Sequence, residues 1–500
     1  MNYIEKTQAF LEIAPQFMLG HLVTEDFHPK SKNLSQLVKE DLKSALDLFQ
    51  EIDRDALHAM REKEDLLWEL AESIQKTLKA GHKIFMCGCG ATGRLSLVLE
   101  TLYRQKFGEK SQVFSFMAGG DFALIKSVES FEDKTHYGER QLMELGFGPH
   151  DLLLASTEGG ETPFVIGATN KAAEFSDNSP YFLYCNPNET LMNIQRSKEV
   201  IENKKIKKIS LNVGPMTISG STRMQASTVL MLAIGVGLLY THKNKEYFSN
   251  FYQDYLNRLT KTSYDVMAPL TALEAKLYSE KKYLNYIADP RLAISILTDT
   301  TERSPTFSLR AFENKVDTSE RSLSYLFVAG AQSSQEAWSS LLSRDPRPVE
   351  WSELNGRISM DKLLGFDISE HGLKERQNAI PTENFVLTYT KGLVGIKFGP
   401  HEVQFKWGED NLFNHLMLKM LLNAHSTSIM GLLDRYEGNV MTWVRASNNK
   451  LIDRAARYVL QLLKMKGKSA EYGDVVLKIF EESDRLTENE PVVLKVLERY

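Results

Sequence analysis

A chain of 500 residues, 42% hydrophobic and 25% charged, is longer than one ordinary core can organise, so two or more folded domains are expected. Its net charge of -5 spreads no basic field, which excludes nucleic acid and an anionic membrane as main partners. The opening MNYIEKTQAFLEIAPQF has no basic stretch ahead of an apolar core, so no signal peptide is expected. Residues 229–240 are the most apolar helix candidate, too short for a bilayer, and read as a core helix. Three cysteines without an export signal point to a reducing, cytoplasmic compartment. Cys87, Cys89 and Cys185 read as small packed residues, because no second Cys or His cluster lies nearby to complete a metal site.

Residues 37–80 carry helical spacing, with Leu42, Ala45, Leu46 and Phe49, then Leu67, Leu70 and Ile74, and Gly81 as a stop. The stretch KIFMCGCGATGRLSLVL, 83–99, then reads as a buried strand, a glycine turn and an apolar helix. Such a turn aims backbone N–H groups and the positive end of a helix dipole at one point, which suits a phosphate. Gly88-x-Gly90-x-x-Gly93 matches a dinucleotide fingerprint, but the strand at 113–117 does not end in the acidic residue that would hold a ribose. As a nucleoside-triphosphate loop it has Arg94 and Leu95 where Lys and Ser/Thr are needed. A small phosphorylated metabolite is the third reading, with the Thr92 hydroxyl among the turn amides and no cofactor. Glycines serving only a tight strand-to-helix packing stay open beside these.

Strand-like runs at 113–117, 151–155, 181–184 and 208–212 alternate with helix-length segments, the pattern of a parallel sheet covered on both faces with ligands at its carboxyl end. Polar residues collect at those ends. Ser156-Thr157-Glu158-Gly159-Gly160-Glu161-Thr162-Pro163 suggests a second anion cradle, or a helix start with Thr162 as its cap. Ser219-Gly220-Ser221-Thr222-Arg223 precedes the apolar helix, and its hydroxyls are capping and ligand candidates alike. Glu129 and Glu132 share a face if their segment is helical, with Asp133 as the cap of the next element.

The patches 90–95, Ala118-Gly119-Gly120, 128–133, Thr162-Pro163, Asn186-Pro187 and 220–224 follow the order and spacing of sugar isomerase (SIS) domains. They are most similar to the N-acetylmuramic acid 6-phosphate etherases and to glucokinase regulatory protein. The second half offers further strands near 286–298, 325–329 and 385–389 and a hairpin at 394–398, without a glycine turn. Residues 437–451 resemble the segment that closes the etherase SIS domain, here placed after a second one. The resemblance therefore implies two flavodoxin-like SIS domains, each a parallel five-stranded sheet. Their expected limits are 81–245, carrying the site, and 286–450, degenerate, with helical segments at 1–80, 246–285 and 451–500.

It further implies a sugar phosphate of the fructose phosphate or N-acetylmuramic acid 6-phosphate type as ligand. Gly90, Ala91, Thr92, Gly93, Thr157, Gly159, Glu161, Ser221 and Lys450 would bind it, and Glu132 would be catalytic. Internal pairing of the domains implies a monomer, and the regulator layout implies a sugar kinase as partner. The etherases rely on two glutamates as acid and base, but the place of the first, eight residues beyond Arg94, holds Leu102. The nearest carboxylate, Glu100, is turned about 200° around the helix. Ala91, Glu161 and Gln225 also depart from the family pattern, and a carboxylate at 161 is unfavourable beside phosphate. The expectation is a ligand-sensing regulator, with an etherase-like lyase or a sugar-phosphate isomerase using Glu132 as the alternative.

Overall fold

The computed structural model describes residues 2–108, 111–128, 131–316, 321–444, 446, 448–486 and 490–500. Two five-stranded sheets lie in sequence along the chain. In the first, β1 (Ile84–Gly88), β2 (Val113–Met117), β3 (Leu152–Ser156), β4 (Tyr181–Tyr184) and β5 (Lys207–Ser210) run parallel in the order β2-β1-β3-β4-β5. The strands IFMCG, LLLAS and YFLY are buried at every position, as a sheet covered on both faces requires, while KKIS at the edge is partly exposed. Cys87, Cys89 and Cys185 are buried free thiols.

The second sheet holds β6 (Tyr283–Ala288), β7 (Ser324–Val328), β8 (Thr382–Thr390), β9 (Leu393–Phe398) and β10 (His401–Lys406) in the order β10-β9-β8-β6-β7. Its opening strand again sits between the next two, so the strand order of the first sheet is repeated. The expectation of a second all-parallel sheet needs correction, because β9 runs antiparallel to both β8 and β10. The connections dictate this. Lys391 and Gly392, at φ 47° and 78°, make a two-residue turn that reverses the chain and leaves no length for a crossover. β6 also opens at Tyr283, inside the segment expected to be a helical connection, and it ends at Ala288, after which Pro290–Phe307 is helix.

The expected core helix, Gln225–Leu239, is buried along its whole length. Glycines let its neighbours approach: a Cβ on Gly235 would stand 2.7 Å from Leu412 Cδ1, and one on Gly237 3.1 Å from Ala71 Cα. Leu412 belongs to the helix Asn411–Leu432 of the second half, and Ala71 to Glu64–Lys79 ahead of the first sheet. At the other end of the chain, Asn449–Met465, Tyr472–Ser483 and Val492–Leu497 form a helical ending, and Phe480 packs edge-on against Phe10 of the first helix at 6.2 Å. Among the described residues, no helix is long and apolar enough to cross a membrane.

The halves meet through buried charge. Glu100, on the helix Gly90–Phe107, accepts from Arg104 at 3.0 Å, Arg344 at 3.2 Å, Arg347 at 2.6 Å and the Ser115 hydroxyl at 2.6 Å. Asp121 holds Arg344 again, at 2.6 Å, and the Arg347 backbone N–H at 2.6 Å. Gly120 must be glycine here: its φ is +64°, and a Cβ would stand 2.8 Å from Val349 and 3.0 Å from the Arg347 carbonyl. Trp351 stacks on Phe131 at 5.5 Å beside this seam.

Burial alone would raise the Glu100 carboxyl, but Arg344 and Arg347, with Ser115 and Arg104, bring it from 4.5 down to about 2. Its folded value is therefore depressed. The stability this contributes, on the order of 3 kcal/mol, is complete above pH 4.5 and is lost as the pH falls through about 2. We expect Glu100→Gln to cost about 3–5 kcal/mol in urea unfolding at pH 7 and to flatten the acid limb of the stability profile in that window.

Candidate functional site

The glycine turn opens the site. Gly88 and Gly93 serve the strand-to-helix packing, since a Cβ on Gly88 would meet the Thr92 carbonyl carbon at 2.4 Å and one on Gly93 would meet Met117 Cβ at 2.5 Å. Gly90 differs. Its φ is +51°, nothing lies within 4 Å of where its Cβ would stand, and it is exposed at the first position of the helix Gly90–Phe107. Backbone freedom and open space therefore coincide at Gly90, while Ala91 beside it is half-buried. The Thr92 hydroxyl is not aimed outward: it donates to the Cys89 carbonyl at 2.9 Å and accepts from the Cys89 N–H at 3.1 Å, closing the helix start. Arg94 is likewise engaged. It donates to the Leu124 and Ala123 carbonyls at 3.2 and 3.0 Å and pairs with Glu302 of the second half.

At the end of β3, the Thr157 and Thr162 hydroxyls bond each other at 2.9 Å. Thr162 stands at the cap position expected for it, with Pro163 first in the helix, but its side chain makes no capping hydrogen bond. The Gly159 carbonyl accepts from Asn186 Nδ2 at 3.0 Å. Gly160, at φ +80°, leaves room only for Leu191, which a Cβ would meet at 2.6 Å. Glu161, 3% exposed, is bound by Arg196 and by Lys450 Nζ at 2.8 Å. Burial alone would raise the Glu161 carboxyl, but Lys450 and Arg196 bring it down to about 2. Lys450 is raised in turn, because Glu161 and Glu132 outweigh the effect of burial. The carboxylate expected to repel phosphate thus arrives with two cations of its own.

Lys450 stands at the start of Asn449–Met465, after Asn448, whose side chain caps that helix by accepting from the Leu451 N–H at 2.9 Å. The helix is held over the first half through Glu25, which pairs with Arg454 and, at 3.0 Å, with Arg457. Against burial, those arginines bring the Glu25 carboxyl down to about 2. Ser219 donates to the Glu25 carbonyl at 2.9 Å, and Tyr458 donates to the Ser219 carbonyl at 2.7 Å, so the 219–223 loop is clasped between the two ends of the chain. Ser221 is buried in that loop. Arg223 turns away to Asp299 at 3.0 Å and Thr427 at 2.7 Å, and Gln225 bonds Asp53 at 2.7 Å. Neither reaches the Lys450 side.

Glu132 is not helical. It occupies a half-buried turn after Phe131, and Lys134 rather than Asp133 takes the cap position of Thr135–Glu144. Glu129 lies outside the described residues. The charge of Glu132 acts on both Cys89 and Lys450. Leu102 is buried at 1% exposure, and Glu100 is locked in the seam between the halves. Among the described residues, the trio with metal-binding spacing is Asp367, His371 and Glu375, remote in sequence from these loops; Lys315 already bridges its carboxylates at 2.8 and 2.6 Å.

Sequence reasoning missed Glu158. It is 8% exposed, its Oε1 has no hydrogen-bond partner among the described residues, and burial, with the charge of Glu302, pushes its carboxyl up to about 8 against the pull of its own backbone N–H, Lys450 and Lys419. A cavity of about 30 Å³ is lined by Arg94, Arg223, Asp299, Glu302 and Lys419. That volume holds a water or so, and a sugar phosphate needs the halves to part there or to bind on the open Gly90 side.

A parallel sheet ordered β2-β1-β3-β4-β5, with its glycine turn and polar loops at the carboxyl end, defines a flavodoxin-like doubly wound α/β domain, the architecture expected of an SIS domain. Residues 69–173 match the model of the glucokinase regulatory protein N-terminal SIS domain. The N-acetylmuramic acid 6-phosphate etherase of Prochlorococcus marinus is 33% identical over 229 residues, 46% of this chain and 68% of the relative. That of Thermosynechococcus vestitus is 32% identical over 218 residues, 43% of this chain and 66% of the relative. The chain thus spans about two thirds of the length of the curated relatives it matches. It belongs to the SIS-domain family of the N-acetylmuramic acid 6-phosphate etherases. Among solved structures, the tagatose-6-phosphate ketose/aldose isomerase of Escherichia coli aligns with a TM-score of 0.42 at 10% identity, over 80% of this chain and 95% of that one.

The clasp at Glu25 makes a measurable claim. Glu25→Gln leaves Arg454 and Arg457 without their buried carboxylate, and we expect a loss of about 3–5 kcal/mol. Faster amide exchange across residues 449–465, measured by mass spectrometry, is expected with it.

Proposed function

We propose that the chain binds a sugar phosphate in the first-half cleft and acts as a ligand-sensing regulator rather than a catalyst. The observation that carries this reading is Leu102, buried where the family's first glutamate is expected, with Glu100 unable to replace it because Arg104, Arg344 and Arg347 hold it in the seam. A missing proton-transfer group costs about 10²–10⁴-fold in rate, whereas the binding features persist. Gly90 offers an open, positive-φ helix start, and Lys450 reaches the same cleft from the far end of the chain.

Binding would work by exchange. The phosphate takes Lys450 and Arg196 from Glu161, and this changes the tie between the first half and the C-terminal helix. A ligand that prefers the untied arrangement shifts the halves and any surface they share, and a sugar kinase is the class of partner the resemblance suggests. Because the second sheet repeats the topology of the first within one chain, the assembly is a monomer of 56.9 kDa, to be checked by sedimentation.

One observation favours the enzyme reading: the charge of Glu132 acts both on Cys89, at the glycine turn, and on Lys450. Calorimetric titration with fructose 6-phosphate, fructose 1-phosphate and N-acetylmuramic acid 6-phosphate separates the two. The regulator gives a saturable heat that Lys450→Ala weakens about 10–100-fold. A sustained heat abolished by Glu132→Gln means turnover and overturns the regulator. For Glu161→Gln we expect a lower melting temperature in buffer, restored by the sugar phosphate that binds, and roughly tenfold tighter binding as a like charge is removed.

A further inference from the structure

Buried carboxylates that line the seam and the cleft are met by cations. Glu161 has Lys450 and Arg196, Glu25 has Arg454 and Arg457, Glu302 has Arg94, and Asp299 has Arg223. Glu158 differs: among the described residues its buried side-chain Oε1 has no partner. It sits just beyond the carboxyl end of β3, between Thr157 and the Gly159-Gly160 turn, and its own carbonyl is occupied by the Cys185 N–H at 2.9 Å.

We propose that Glu158 is a ligand-contacting residue of the cleft, meeting the sugar as a neutral carboxylic acid that donates a hydrogen bond to a ring oxygen or hydroxyl. The proposal rests on the sugar-phosphate reading above and names what recognises the sugar, as distinct from its phosphate. An ionised carboxylate with one oxygen unmet and no cation bound to it is costly at such depth, so the acid keeps its proton, and a protonated carboxyl has a donor that must find an acceptor. None of the described residues supplies one at Oε1. A bound sugar does, and a neutral acid adds no repulsion to the phosphate held by Lys450.

The groups that set its protonation come from every side: Glu302 from the second-half helix Pro290–Phe307, Lys419 from Asn411–Leu432 and Lys450 from Asn449–Met465. The Cys89 and Cys185 thiols stand on the sheet side and are themselves pushed up by burial and by the Glu158 charge. Burial and Glu302 favour the neutral form, its own backbone N–H and the lysines oppose it, and Glu158 is left at about 8. The donor is therefore present at pH 7 and lost as the pH rises through that value. Lys419, also at about 8, titrates in the same range and must be separated from it.

The test is titration calorimetry on the full chain at pH 7.0 and 9.5, with the three sugar phosphates named above as probes. Both values lie above the second phosphate ionisation near 6. Wild type is expected to bind about tenfold more weakly at pH 9.5. Glu158→Gln, which keeps an N–H donor without a titrating proton, is expected to bind comparably at both values. Because Lys419 is intact in that variant, it isolates Glu158. Glu158→Ala, with its fold verified by melting, is expected to bind about tenfold more weakly at pH 7.0. Wild-type affinity in folded Glu158→Ala, or an undiminished alkaline loss in Glu158→Gln, overturns the assignment and leaves sugar-phosphate binding standing. Failure of wild type to bind any of the three overturns both.

Discussion

The structure depends on ionised side chains that are buried far from water and neutralised by residues hundreds of positions away. Glu100 meets Arg344 and Arg347, Arg94 meets Glu302, and Arg223 meets Asp299. Such pairs are poor sources of net stability, because desolvation consumes most of the attraction. Their effect is on alternatives. A displacement of one half that strips Glu100 of its arginines leaves buried charges unmet, so few relative placements are tolerated. The apolar helix Gln225–Leu239 gives the halves a shared core, and the ion pairs fix where on that core they sit.

The same logic reaches the cleft. Lys450, which the family resemblance marks as the residue that closes over a sugar phosphate, is tied to Glu161 and lies in the field of Glu132. On the proposed reading, a phosphate entering here would not find a vacant cation but would trade places with a carboxylate. Exchange of that kind links occupancy to the anchoring of the C-terminal helix, and linkage is reciprocal: whatever loosens the helix also eases binding. A pocket with free lysines would bind more tightly and report less.

Much of this was legible in the residues and some was not. The first sheet was readable because its strands are short apolar runs between polar turns, and all of them were placed to within a few residues. The second sheet was harder. Its topology repeats, but a Lys391-Gly392 turn converts its last strands to a hairpin, a choice made by two residues. In the cleft, the family resemblance singles out Lys450 and Glu161, yet it could not show that they neutralise each other, since they lie 289 positions apart. Thr92 was expected as a ligand and is consumed by its own helix start. Glu158 was passed over because isolation within a folded interior has no signature in sequence.

The repeat also explains why the two halves are not equivalent. In the first, the helix after the opening strand begins at an exposed Gly90 with space before it. In the second it begins at Pro290, and Asp289 fills the helix start by accepting from the Arg291 N–H at 3.0 Å. An anion there meets a carboxylate where the positive end of the dipole should be, so the second half has given up its own phosphate cradle. Yet that helix carries Glu302 at the depth where the first helix carries Leu102, and Glu302 points its charge across the seam to Arg94 and Glu158. On the proposed reading, the second half has a carboxylate at this depth without the cradle, and the first has the cradle with Leu102 in the carboxylate's place.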